Sequence, residues 1–191
     1  NNAMDFDDML VFTHQILSTY PQTRSTWAHK FEHILVDEFQ DTNLSQYAIL
    51  RSLAQEHGNL YVVGDEDQSI YRWRGADYRN IQRFQTAFKN ARTILLEQNY
   101  RSTQRILDGA MAVIDRNANR TRKKLFTEQK SGEKIKLFAA ADDKEEADYV
   151  VQAVKNGIRS QKLNPSSFAV MYRANAQSGL LEEAFRREGI R

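Results

Sequence analysis

Apolar and polar positions along this chain follow two periods in turn. Phe6, Met9, Leu10, Thr13, Ile16, Leu17 and Tyr20 recur three and four residues apart, which predicts an amphipathic helix ended by Pro21. The uninterrupted run Ile34-Leu35-Val36 then stops at Asp37-Glu38, as a strand does when it leaves a sheet. Asn43 and Gln46 stand at capping-box spacing and predict the start of a helix. Leu60-Tyr61-Val62-Val63 predicts a second strand that exits at Gly64, and residues 93–97 predict a third. Beyond them, Ile106, Leu107, Ala110, Val113 and Ile114 share a helix face, as do Ala147, Val150, Val151, Val154 and Ile158. Strands near 135–140 and 168–172 and a last helix with Leu180, Leu181, Ala184 and Phe185 inward complete the pattern; all these stripes are expected to be core. Alternation of the two periods predicts an α/β fold. The chain has no internal repeat and no low-complexity segment.

The candidate chemistry lies where the strands end. In an open α/β sheet ligands sit outside the carboxyl ends of the strands, so Asp37 and Glu38 face a site there. One carboxylate in such a place holds Mg²⁺ while its neighbour orients or deprotonates a water; the competing reading is two solvated acids that open a loop. The second strand also ends in acids, Asp65-Glu66-Asp67, followed by Gln68. That amide both donates and accepts, which suits sensing a water or a terminal phosphate, although an ordinary acidic turn reads the same way. Tyr71-Arg72-Trp73-Arg74 interleaves aromatics with guanidinium groups. Aromatic faces stack on bases and arginines pair with phosphates; equally, strand alternation would bury Tyr71 and Trp73 and leave the arginines outside. At the next strand-to-helix junction Tyr100 stands beside Arg101, a ring able to stack on an adenine and a cation able to reach a γ-phosphate.

Composition narrows the classes. With 41% hydrophobic and 27% charged residues in 191, the chain can bury a core, and no apolar run approaches the length of a membrane span, roughly 20 residues. The absence of cysteine excludes a disulfide framework or a Cys-ligated zinc and fits the cytoplasm. A net charge of +2 says little about partners, but residues 72–105 hold eight Lys or Arg against only Asp77 and Glu97, the footprint of a phosphate-backbone track or of a solvated face. Arg120, Arg122, Lys123 and Lys124 either extend that track or form a solvated loop, and the loop is the preferred reading.

Taken in order, these blocks resemble the superfamily 1 DNA helicases of the UvrD, PcrA and Rep type, and among them the PcrA group most. The resemblance rests on Asp5-Phe6-Asp7-Asp8, Val36-Asp37-Glu38-Phe39-Gln40-Asp41-Thr42-Asn43, the run from Gly64 through Ala76, Leu96-Glu97-Gln98-Asn99-Tyr100-Arg101-Ser102 and Tyr172-Arg173-Ala174-Asn175-Ala176-Gln177-Ser178. It implies parts of two RecA-like (P-loop NTPase) motor domains, with mainly parallel sheets flanked by helices, over residues 4–92 and 93–191, after a cloning remnant at 1–3. It implies ATP and Mg²⁺ as cofactors, with Asp37 on the metal, Glu38 on the hydrolytic water, Gln68 linking γ-phosphate to DNA, Tyr100 on the adenine and Arg101 on the γ-phosphate. Tyr71, Trp73 and Arg74 would line the single-strand track, and Arg173 and Asn175 would touch the DNA backbone. The partners implied are single-stranded DNA, duplex junctions and repair or replication proteins, with no membrane.

Two departures qualify this. Gly179 stands where the family usually has an arginine, and no Gly-x-x-x-x-Gly-Lys-Ser/Thr loop occurs, since none of the eight glycines precedes a lysine. The expectation is therefore an internal piece of an ATP-dependent helicase moving 3′ to 5′ on single strands, inactive by itself. The alternatives are a piece of a helicase-nuclease subunit of the same superfamily and a non-enzymatic nucleic-acid or protein-binding module.

Overall fold

Ile34–Val36 (β1) and Leu60–Val62 (β2) pair in parallel, with Ile34 opposite Leu60 and Val36 opposite Val62. The computed structural model describes residues 3–117 and 120–190; of the expected remnant at 1–3, Asn1 and Asn2 lie outside the described residues. The chain divides into two units, Asn1–Glu133 and Lys134–Arg191, each with its own packing.

In the first unit Phe6–Thr19 (α1) and Pro21–Lys30 (α2) precede β1, and Leu44–Ala54 (α3) is the crossover that parallel pairing requires. Pro21 ends one helix and begins the next, because its missing N–H lies among the first-turn donors that have no intrahelical acceptor. Asn43 and Gln46 close the expected capping box on α3, each side chain accepting the other's backbone N–H at 2.9 Å. Two aromatic contacts set the core below the strand ends. Phe39 is buried and meets Tyr47 of α3 and Phe84 of Asn80–Ala87 (α4) edge to face.

The expected inward stripe on α1 is not a buried one: Leu17 is buried, whereas Phe6, Met9 and Ile16 are exposed. The helix packs on α2 and α3, and two neighbours cover only a narrow face. Gln104–Ile114 (α5) likewise buries Leu107 and exposes Ile106 and Val113. Residues 93–97, 135–140 and 168–172 form no strand among the described residues. An apolar run becomes a strand only where a neighbouring edge accepts its N–H and C=O groups, and here the nearest approach is an isolated parallel bridge between Gln98 and Phe126. Leu96, Leu137 and Met171 stand open to solvent as a result.

The second unit is a helix pair. Asp143–Gln161 (α6) starts at Asp142, whose carboxylate accepts the Glu145 N–H at 2.7 Å, and buries Ala147 and Val151 against Ala184 of Ala176–Arg187 (α7). Leu181 and Phe185 flank that contact, so the stripes expected on both helices meet there, except that Leu180 is exposed. Lys155 pairs with Glu188 and Arg187 with Asp148 across it.

Candidate functional site

Asp37 and Glu38 leave the carboxyl end of β1 and are exposed. Glu38 has φ 49° and ψ 41°, a left-handed conformation that costs a non-glycine residue about 1–2 kcal/mol. Its N–H donates to Asp37 Oδ1 at 2.9 Å, and Phe39 then turns inward, donating its own N–H to the Val63 carbonyl at 2.9 Å.

Gln40 joins the two strand ends. It is 1% exposed; its Nε2 donates to Glu38 Oε2 at 2.7 Å and its Oε1 accepts the Asp65 N–H at 3.0 Å. A single buried amide thus orients the acid at the end of β1 and the first residue of the acidic turn after β2. Gly64 leaves room for it, since a Cβ there would lie 2.6 Å from Gln40 Oε1. Gln40 is absent from the expected site residues. Its only trace in the sequence is an uncharged polar side chain between Phe39 and Asp41, indistinguishable there from a loop residue.

In the acidic turn Asp65 Oδ1 accepts the Asp67 N–H at 3.1 Å, and Gln68 Nε2 donates to Asp65 Oδ2 at 2.9 Å. Burial pushes the Asp65 carboxyl up, but hydrogen bonds from Lys123 and Gln68 outweigh it and hold the group below its ordinary value. The solvated-loop reading of residues 120–124 is corrected here. Arg120, its side chain 4% exposed, forks onto Asp67 with Nε at 3.1 Å and Nη2 at 2.8 Å, and Lys123 pairs with Asp65. Arg122 and Lys124 remain exposed. The acids of the turn draw in the cations that reach them, and sequence distance conceals the pairing.

Tyr71 and Trp73 are exposed, which sets aside the reading that buries them. Their ring centroids lie 6.4 Å apart, and the Arg74 guanidinium lies 5.2 Å from the Tyr71 centroid and 4.6 Å from that of Trp73. Just behind them the chain is anchored at Asp77, which takes Arg79 Nε at 2.7 Å and Arg83 Nη1 at 2.9 Å and donates its N–H to the Thr42 carbonyl at 3.0 Å. Buried Asn80 Nδ2 donates to the same carbonyl at 2.9 Å, so the aromatic turn is tied to the loop after β1.

The hydrogen bond from Arg79, reinforced by Arg83, holds the Asp77 carboxyl well below the usual carboxylate range despite burial. A depressed carboxylate stabilises the fold in full above its unfolded value of about 3.9 and loses that contribution as pH falls. Urea midpoints should therefore drop below about pH 4 more steeply in the wild type than in Asp77→Asn. Parallel curves for the two proteins would mean that the Asp77 network adds nothing.

Tyr100 is exposed, its hydroxyl donating to Gln98 Oε1 at 2.8 Å. Asn99 Oδ1 accepts the N–H groups of Arg101 and Ser102 at 2.9 and 2.7 Å, the turn that leads into α5. Among the described residues Arg101 forms no ion pair, so its guanidinium is free for an anion. Arg173 and Asn175 belong to the second unit, in the turn before α7, where the Arg173 N–H donates to Gln177 Oε1 at 3.0 Å. Both are exposed.

No three acids or histidines among the described residues converge to hold a metal by themselves. One exposed carboxylate fits Mg²⁺ of the kind completed by phosphate oxygens and water, so Asp37 fits that ion only together with a nucleotide. A cavity of about 360 Å³ lined by His29, His33 and His57 touches none of the groups above.

Residues 1–89 match the family model of the UvrD/REP helicase N-terminal domain, and residues 94–191 match that of the UvrD-like helicase C-terminal domain. Similar proteins include the ATP-dependent DNA helicase PcrA of Staphylococcus epidermidis, 46% identical over 190 residues that cover 100% of this chain and 26% of that protein. The PcrA helicase of Leuconostoc citreum is 45% identical over 184 residues, 96% of this chain and 25% of its own length. That of Staphylococcus aureus is 44% identical over 190 residues, 100% of this chain and 26% of its length. The chain thus spans about a quarter of the length of the curated relatives it matches.

Proposed function

This chain belongs to the UvrD-like helicase family, and from that premise we propose that it is the central part of an ATP-dependent DNA helicase that moves 3′ to 5′ on single-stranded DNA in repair or replication. Residues 4–92 are then the later part of one RecA-like motor domain and 93–191 the earlier part of the next. The observation that carries the reading is the Gln40 bridge, which gathers Glu38 and the Asp65–Gln68 turn at the carboxyl ends of the parallel pair.

In this reading Glu38 orients and deprotonates the attacking water, and the Gln40 amide fixes the carboxylate that does so. Asp37 would hold Mg²⁺, which, when bound to ATP, neutralises phosphate charge. Gln68 senses the terminal phosphate from a turn that continues into Tyr71, Trp73 and Arg74, which take bases and phosphates of the single strand. Tyr100 stacks on the adenine, Arg101 meets γ-phosphate charge, and Arg173 and Asn175 contact the DNA backbone. Without a Gly-Lys-Ser/Thr loop to cradle the phosphates, residues 1–191 by themselves turn over no ATP.

ATP turnover by the parent-length protein, measured with and without single-stranded DNA, tests the proposal. Stimulation by DNA, with none from residues 1–191, is the expected result. A well-folded parent protein that binds DNA and hydrolyses nothing would turn the assignment to a binding module.

A further inference from the structure

We propose that residues 120–126 are a coupling strap, with Arg120 and Lys123 as positioning residues that hold the Gln68 turn in register with the Tyr100-Arg101 segment. One end of this stretch is bound to the acidic turn, the other to the approach to α5. At the first end Arg120 forks onto Asp67, Lys123 pairs with Asp65 and lies 3.4 Å from Asp67, and the Thr121 N–H donates to Glu66. All three acids of the turn are therefore engaged by one short piece of chain. At the second end the Phe126 N–H donates to the Glu97 carbonyl at 3.1 Å, the Asn99 N–H donates to the Phe126 carbonyl at 2.8 Å, and the Lys124 N–H donates to Glu97 Oε1 at 2.7 Å. Asn99 is also the residue whose side chain turns Tyr100-Arg101 into α5.

Arg120 and Asp67 are paired where water hardly reaches, with side chains 4% and 10% exposed, so the bond is less screened than a surface pair and its planar fork dictates an orientation as well as a distance. Asp65 is the common point. It takes Lys123 from the strap, Gln40 from the turn after β1 through its N–H, and Gln68 through its other carboxylate oxygen. Displacement of the strap takes the cations from Asp65 and Asp67 together, and so loosens the carboxylate that holds the Gln68 amide. Neither cation touches a reacting group; Lys123 acts through the acids of the turn, and Arg120 through Asp67 of that turn and through Asp115 at the end of α5.

This inference rests on the reading of Gln68 and Arg101 given above, and two measurements on the parent-length protein separate the two. In DNA-saturated ATP turnover, Arg120→Ala should lower kcat by about 10- to 100-fold, the scale of a displaced positioning contact, and leave KM for ATP within about two-fold. Arg120→Lys should recover part of the loss. In hydrogen exchange on the same Arg120→Ala protein, the amides of Asn99 and Phe126 should lose protection along with those of the Asp65–Gln68 turn. Unchanged kcat, no recovery in Arg120→Lys, or protection lost at one end only would overturn the strap. A wild-type parent without turnover removes the helicase reading, and the exchange result then decides the strap by itself.

Discussion

Glu38→Gln in the parent-length protein should abolish DNA-stimulated ATP turnover, by about 10²–10⁴-fold if the carboxylate is the base for the attacking water. The substitution separates chemistry from structure unusually well. Glutamine keeps the size of the side chain and a carbonyl oxygen to accept the Gln40 Nε2 hydrogen bond, now 2.7 Å long, so the bridge to Asp65 survives. What disappears is the negative charge and the site for a proton. Thermal melting of the variant should match the wild type while kcat collapses. Turnover retained at the wild-type level would remove Glu38 from the chemistry and leave it a loop acid.

Phe39→Ala, one residue on, should do the reverse. Phe39 is 2% exposed, with ring centroids 6.2 Å from Tyr47 and 5.9 Å from Phe84, so a single ring ties the exit of β1 to α3 and α4. Truncating such a ring costs about 3–5 kcal/mol, against a total of about 5–15 kcal/mol for a typical domain. Urea denaturation of residues 1–191 should show the loss as a lower midpoint at an unchanged slope, and Phe39→Leu should recover much of it. A shift below about 1 kcal/mol would mean that the neighbours close over the gap.

The two neighbouring substitutions mark what the sequence discloses and what it hides. Both strands and their acids are legible as apolar runs that stop at charged residues, a pattern that residues 93–97 share without forming a strand. So was the capping box on α3, whose geometry is local. The runs at 93–97, 135–140 and 168–172 read as strands and form none, because strand formation depends on a partner edge, which leaves no mark on the run itself. The stripes on α1 and α5 failed for a related reason: periodicity says which residues share a face, not whether anything covers it. In the site, the residues that orient the acids carry no sign of that role in the sequence. Gln40 works across 25 residues to Asp65, and Arg120 across 53 to Asp67. Such pairings follow from the fold and from charge, and no spacing rule announces them.

The left-handed backbone of Glu38 bears on how this protein responds to selection. Glycine adopts that conformation without penalty and asparagine nearly so, but either replacement strips the buried Gln40 Nε2 of the Glu38 carboxylate, so the relief of the backbone is offset. Heat resistance alone is therefore a poor filter at this position: such a clone exchanges backbone strain for an orphaned amide and, on the role proposed for Glu38, loses turnover. On that role, any library built on this chain has to be screened for turnover at the same time as for melting temperature.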